Sequence, residues 1–100
     1  MTFGLSQSQQ KKIRSIFEKY PQVKKAAVFG SRAMGNFKPG SDVDIALFGP
    51  LDDVILARIG AELNEETTLP YQFDLIRYDQ IHSQELKEHI DRYGKEFCRT

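Results

Sequence analysis

Two aspartates stand one residue apart in the middle of the chain, within the segment 41–47, which reads Ser-Asp-Val-Asp-Ile-Ala-Leu. Polar and apolar residues alternate there, and alternate side chains of a strand point to opposite faces, so Asp42 and Asp44 are expected on one face. Two carboxylates this close repel each other unless a cation lies between them. Mg²⁺ suits such a pair because it prefers oxygen ligands and substrate phosphates. The alternative interpretation is a solvated edge strand with two surface aspartates.

Gly30, Ser31 and Arg32 precede these acids and follow the apolar run 26–29. A glycine allows a sharp turn of the backbone at the end of such a strand, and Ser31 can begin a short helix. The free backbone N–H groups at a helix start bind phosphate oxygens. Together, the turn and the acidic strand predict a site for a nucleoside triphosphate, in which Gly30 and Ser31 hold phosphates.

A third acid, Asp74, lies in a predicted third strand, Tyr71 to Arg77. In this strand Phe73 and Leu75 are expected on one face and Asp74 on the other. We expect the strand to be central in its sheet, where burying a carboxylate is costly without a cation or a hydrogen-bond donor. Asp74 is therefore either solvent-facing or functional, the structural alternative being an ion-paired aspartate.

The elements that must position these residues follow from periodicity and capping signals. The predicted helices are 6–20, the short segment 31–35, 52–64 and 83–93, and the predicted strands are 25–29, 43–48 and 71–77. The tail 95–100 is expected to fray. Three short strands separated by helices predict an α/β (α+β) fold, a small mixed sheet backed by helices.

Composition limits the classes of protein to which the chain can belong. One hundred residues with 40% apolar content suit one domain, 1–100, and a net charge of zero argues against a domain that mainly wraps nucleic acid. The single cysteine, Cys98, cannot form an intramolecular disulfide. No apolar run is long enough to span a bilayer and no leader-like segment opens the chain, so we expect a cytoplasmic protein without membrane contact.

Four further polar residues have ordinary structural interpretations. Asp52 and Asp53 begin a predicted helix and are interpreted as caps rather than metal ligands. His82 and His89 have no companion at a spacing typical of zinc sites or catalytic dyads, and are interpreted as surface or packing residues. The last helix is expected to turn an inner stripe of Leu86, Ile90 and Tyr93 toward the core.

The combined motif resembles the Gly-Ser…Asp-x-Asp signature of the DNA-polymerase-β-like nucleotidyltransferases. It is most similar to their smallest branch, the minimal nucleotidyltransferases, which are often antitoxin partners of HEPN-domain toxins. The matching residues are Gly30, Ser31, Arg32, Ala33, Gly35, Ser41, Asp42 and Asp44. The resemblance spans nearly the whole chain, and two motifs at this spacing are more specific than a lone glycine-rich loop.

The resemblance implies roles for the site residues. Asp42 and Asp44 would bridge two Mg²⁺ ions, and Asp74 matches the third carboxylate, which binds the acceptor-side metal and favours deprotonation of the acceptor hydroxyl. Gly30 and Ser31 would hold the β and γ phosphates of ATP. Arg32 would either neutralise developing charge or form a salt bridge within the scaffold. The implied product is a HEPN-domain partner with AMP on a tyrosine hydroxyl.

One position departs from the family pattern: Met34 stands where an arginine is common. Lys38 is a candidate to replace that charge. The missing arginine keeps open a second interpretation, a binding module that inhibits its partner without catalysis, although such a module gains nothing from three mutually repelling acids. A third interpretation is the catalytic subunit of an enzyme that modifies a small molecule.

Overall fold

The computed structural model describes residues 5–35, 38, 42–66 and 71–99. Its helices are α1 (Gln7–Glu18), α2 (Ser31–Met34), α3 (Asp53–Ala61) and α4 (Gln84–Tyr93), and its strands are β1 (Lys25–Phe29), β2 (Val43–Phe48), β3 (Phe73–Arg77) and β4 (Lys95–Arg99). A π-helical turn, Glu62–Glu66, prolongs α3, and a 3₁₀ turn, Tyr78–Gln80, follows β3. Ser41 of the predicted motif lies outside the described residues. No helix in the described ranges is both long enough and apolar enough to cross a membrane.

The strands form one mixed sheet in the order β3-β2-β1-β4. β1 is antiparallel to both β2 and β4, whereas β2 and β3 are parallel. The predicted α+β architecture, a mixed sheet backed by helices, is confirmed. The parallel pair is connected through α3, as parallel neighbours require a crossover rather than a tight turn.

The expectation that the tail frays is wrong. Residues 95–99 form β4, which pairs with β1 so that Lys25 lies opposite Arg99 and Val28 opposite Lys95. The tail has little hydrophobic periodicity of its own, and its strand conformation comes from the backbone groups that β1 offers along its free side.

The expectation that the third strand is central is also wrong. Among the described strands β3 bonds to β2 alone and forms an edge of the sheet. Phe73 is buried and Asp74 is exposed, so the predicted alternation of faces is confirmed while the cost of burial is avoided.

The core lies on one face of the sheet, where the alternate apolar residues of the strands meet two helices. Side chains from β1 and β2 pack there with residues from α1, α3 and the turn after α3. The fully buried members include Ile13, Phe17, Ala26, Val28, Val43, Ile45, Leu47, Ile59 and Leu63. Because the core takes the odd-numbered residues of β2, Asp44 must lie on the other face.

Helix α4 covers part of that other face. Ile90 is buried as predicted and Leu86 is half-buried, but Tyr93 is 41% exposed, so its assignment to an inner stripe is wrong. The helix begins where expected, since Ser83 Oγ accepts a hydrogen bond from the N–H of Leu86.

Candidate active site

Asp44 and Asp74 lie side by side across the parallel strands β2 and β3, at matching register positions. On its other side Asp44 is paired with Phe29, the last residue of β1. Asp42 precedes β2 and is exposed, as Asp74 is, whereas Asp44 is half-buried. The sheet thus places the Asp44 carboxylate at the centre of the candidate site, whereas Asp42 and Asp74 are exposed to solvent.

The acidic groups perturb each other. Partial burial raises the pKa of the Asp44 carboxyl above its ordinary value, and the negative charges of Asp74 and then Asp42 raise that pKa further. This repulsion identifies a place where a cation would be favourable, and three carboxylates are a donor set that suits Mg²⁺. They do not form a compact cage: in ranges 5–35, 42–66 and 71–99 no three acidic, histidine or cysteine side chains cluster closely enough to hold an ion together.

Gly30 occupies the turn between β1 and α2 with φ 75° and ψ −152°, a conformation that few residues other than glycine adopt. A Cβ atom at this position would lie 2.7 Å from Oδ2 of Asp44, which is too close for two non-bonded atoms. The dihedral angles therefore favour glycine strongly, and any other residue would also displace the Asp44 carboxylate. The turn predicted to hold phosphates lies directly against the central carboxylate.

Ser31 and Arg32 start the four-residue helix α2, which ends at Gly35 in the left-handed conformation. Ser31 is half-buried, but Arg32 is only 2% exposed, and its guanidinium carbon lies 4.8 Å from the ring centroid of Tyr71. Of the two roles that the sequence left open for Arg32, this burial favours a contact within the scaffold over neutralisation of charge on a ligand. Stacking on Tyr71 ties α2 to the segment that enters β3.

Met34, at the position where the family commonly has arginine, and Lys38, the candidate to replace that charge, are both exposed. Met34 is 51% exposed at the end of α2, and Lys38 is exposed in the connection to β2. Their roles toward a triphosphate stay predictions.

His89 was interpreted from the sequence as a surface or packing residue, and the structure adds a contact at the site. The ring of His89 packs edge-on against Phe29, with 6.2 Å between ring centroids. Its Nε2 atom also accepts a hydrogen bond, 3.1 Å long, from the backbone N–H of Gly30. No local spacing predicts this bond, because it depends on how α4 lies over β1.

Asn64 is a second residue that the sequence analysis did not single out. Its side-chain oxygen accepts a hydrogen bond from the N–H of Phe73 at 2.7 Å, and its amide nitrogen donates to the carbonyl of Phe73 at 3.2 Å. This pair of bonds takes the place of a neighbouring strand at the first residue of β3. Asn64 therefore helps to anchor the strand immediately before Asp74.

Asp52 and His82 have the structural roles that were predicted, whereas Asp53 is the first residue of α3 rather than its cap. Asp52 caps α3 by accepting a hydrogen bond from the N–H of Ile55 at 2.8 Å. Asp53 forms an ion pair with Arg77 at 2.8 Å, and His82 is exposed. None of these aspartates belongs to the acidic site.

Comparison with solved structures finds the same fold in toxin–antitoxin complexes. A toxin–antitoxin complex with AMP-PNP matches with a TM-score of 0.74 and 24% identity, over 91% of this chain and 73% of that one. The toxin–antitoxin complex MntA–HepT matches with a TM-score of 0.70 and 22% identity, over 95% and 74%. A tri-AMPylated Shewanella oneidensis HEPN toxin in complex with MNT antitoxin matches with a TM-score of 0.66 and 22% identity, over 91% and 70%.

A more distant structural match is a putative nucleotidyltransferase from Sulfolobus solfataricus, with a TM-score of 0.55 and 15% identity, over 90% of this chain and 76% of that one. No curated protein sequence resembles the chain closely enough to count as a match. The family model described as polymerase beta, nucleotidyltransferase, matches residues 11–100. That match includes the Gly30 turn and all three carboxylates, so the chain belongs to the polymerase-β-like nucleotidyltransferase family.

Proposed function

We propose that this protein is a Mg²⁺-dependent adenylyltransferase that moves AMP from ATP to a tyrosine hydroxyl of a HEPN-domain partner and thereby acts as an antitoxin. The observation that carries the proposal is the contact of three predicted parts around Asp44. Gly30 lies against its carboxylate, and Asp74 lies beside it in the register of the sheet. A nucleotidyltransferase needs its phosphate-binding turn and its acids at one place.

The acidic residues have two roles in the proposed reaction, metal binding and acceptance of a proton. We assign Asp42 and Asp44 to hold Mg²⁺, which when bound would neutralise charge on the phosphates. Asp74, exposed at the sheet edge, would hold Mg²⁺ on the acceptor side and accepts the proton of the acceptor hydroxyl. The hydroxyl oxygen forms a bond to the α-phosphorus, the bond from that phosphorus to the bridging oxygen of the β-phosphate breaks, and pyrophosphate leaves with the bond electrons.

The phosphate-binding part of the proposal rests on the start of α2. We assign the turn at Gly30 and Ser31 to the β and γ phosphates, with Ser31 as the donor, because the N–H of Gly30 already donates to His89. The backbone conformation of Gly30 supports this assignment, since it favours glycine, and glycine places no side chain between the turn and Asp44. Arg32 is assigned to the scaffold rather than to ATP, because its side chain is buried.

The identity of the partner is inferred from the structural neighbours. Three of them are toxin–antitoxin complexes, one with AMP-PNP and one with a tri-AMPylated HEPN toxin. In the proposed reaction ATP supplies the AMP and the partner supplies the hydroxyl. The exposed position of Asp74 suits an acceptor that arrives from outside the domain.

Intact-mass spectrometry tests the proposal. A HEPN-domain protein encoded beside this one is co-expressed with it, then incubated with the purified protein, ATP and Mg²⁺. We expect the partner to gain mass in AMP-sized steps, and we expect no gain with the double variant Asp42→Asn/Asp44→Asn. A partner that stays unmodified while ATP and Mg²⁺ are present would contradict the proposal.

A second candidate function is inhibition by binding alone, and the exposed Met34 at the usual arginine position is the observation that favours it. In that case the partner would bind tightly and keep its mass, and the double variant would inhibit as well as the wild type. The mass measurement therefore distinguishes the two functions.

A further inference from the structure

We propose that His89 is a positioning residue for nucleotide binding, and that it acts through the backbone N–H of Gly30. The nucleotide part of this inference rests on the proposed function, but the hydrogen bond does not. In the proposed reaction His89 contacts no phosphate. It bonds to the Gly30 turn, which lies between Asp44 and the proposed phosphate site.

The imidazole of His89 is fixed from two sides. Phe29 meets it at an interplanar angle of 77°, and Tyr93 lies at a tilt of 48° with 5.3 Å between ring centroids. The ring is half-buried between them. These contacts restrict its rotation, so Nε2 is directed at the N–H of Gly30, from which it accepts the 3.1 Å hydrogen bond.

This hydrogen bond selects one form of the histidine. A backbone N–H can only donate, so Nε2 must present a lone pair and the ring proton must lie on Nδ1. The doubly protonated ring and the other neutral tautomer both place a hydrogen on Nε2 and lose the bond. A histidine that merely fills space between Phe29 and Tyr93 would have no such preference.

The carbonyl of Gly30 accepts a 3.1 Å hydrogen bond from the N–H of Met34 within the turn and α2, whereas the bond to His89 ties the N–H of Gly30 to α4. No side chain caps α2 in the described part of the chain, and glycine has no Cβ atom to restrict rotation about its backbone bonds. The N–H of Gly30 donates to His89, and Oδ2 of Asp44 lies 2.7 Å from the place that a Cβ atom of residue 30 would take. If the bond is lost, the turn can shift away from Asp44, and the phosphate-binding groups no longer face the carboxylates.

Nuclear magnetic resonance tests the bond directly in the wild-type protein. We expect a through-hydrogen-bond scalar coupling between the amide nitrogen of Gly30 and Nε2 of His89, together with ¹⁵N shifts of the Nδ1–H tautomer. A ring in the Nε2–H tautomer, without coupling to Gly30, would overturn the inference. This measurement requires no ATP and no partner.

Calorimetric titration with ATP and Mg²⁺ tests the positioning role. His89→Leu keeps much of the ring's bulk but offers no acceptor, and we expect Kd for ATP to rise about fivefold to tenfold, the value of one hydrogen bond. His89→Gln places an amide oxygen near the Nε2 position and is expected to restore Kd to within about twofold. His82→Leu, at an exposed histidine, is the matched control and should leave Kd unchanged.

The outcomes separate this inference from the proposed function. A residue important only for folding would lower the melting temperature of His89→Leu without changing Kd of the folded fraction, and an unchanged Kd overturns the positioning role. If the wild type binds no ATP, the proposed function is wrong, and the role of His89 in nucleotide binding is wrong as well. The resonance measurement still decides whether His89 holds Gly30.

Discussion

Asp44 and Asp74 occupy matching positions on adjacent parallel strands, and partial burial, followed by the charge of Asp74, raises the pKa of Asp44. Without a cation, ionised Asp44 is an unfavourable feature of the fold, since its neighbours repel it and partial burial removes water from it. The same arrangement favours a metal ion, because one bound cation converts this repulsion into attraction. The acids thus lower the stability of the metal-free fold but make the site able to bind a cation.

Replacement of Asp44 by asparagine is expected to stabilise the metal-free protein at neutral pH. An acid with a raised pKa binds more protons in the folded than in the unfolded state, so the free energy of unfolding falls as pH rises from about 4 through the raised pKa. Asp44→Asn removes this loss, and its advantage over the wild type should disappear at pH below about 4. Chemical denaturation of both proteins at a series of pH values, in the presence of a chelator, measures the difference. A variant less stable than the wild type at pH 7 would contradict the argument.

Replacement of Asp74 by asparagine is expected to reduce turnover while the protein still binds ATP. Loss of a proton acceptor in the transition state lowers kcat by roughly 10²-fold to 10⁴-fold, whereas ground-state binding of the triphosphate depends on other groups. Single-turnover AMP transfer and calorimetric ATP binding separate the two quantities. Asp79→Asn is the matched control, because Asp79 is an exposed acid in the turn after β3. Equal loss in the two variants would exclude a specific role for Asp74.

Replacement of Gly30 by alanine should damage the site more than the same change at Gly35. Both glycines have positive φ, 75° and 83°, so alanine is strained at either position by about 1 kcal/mol or more. Only at Gly30 would the new Cβ also meet Asp44, at 2.7 Å, whereas nothing described lies within 4 Å of a Cβ at Gly35. We expect Gly35→Ala to lower stability alone and Gly30→Ala to lower stability and ATP affinity. Melting temperatures and ATP titrations of the two variants test this difference.

Replacement of Asn64 by alanine is expected to destabilise the protein by about 1–3 kcal/mol, because it leaves both backbone groups of Phe73 without their side-chain partner. Loosening the start of β3 should also lower AMP transfer, since Asp74 follows directly. Urea denaturation measures the stability, and Gln72→Ala, at an exposed neighbour, serves as the control. Faster hydrogen exchange at the Phe73 amide in the Asn64→Ala protein is a further expected result.

Local sequence patterns were sufficient for most of the elements. The bounds of β1 and β2 agree with the alternation of apolar residues, and the capping box of Ser6 and Gln9 begins α1 as expected. Caps and periodicity are properties of a few adjacent residues, which is why a single sequence reveals them. The Gly30 turn was predictable for the same reason.

Pairings between distant segments were not predictable in this way. The charged tail becomes β4 only because β1 has a free side, and β3 lies at the edge only because β4 takes the opposite position. His89 likewise appeared to be an ordinary packing residue until α4 was seen to cross the end of β1. The sequence by itself determined the family motif and so the candidate residues for chemistry, since motif spacing is local. The tertiary structure alone decided which backbone and side chains hold those residues in place, because hydrogen bonds such as that from Gly30 to His89 join segments that no periodicity connects.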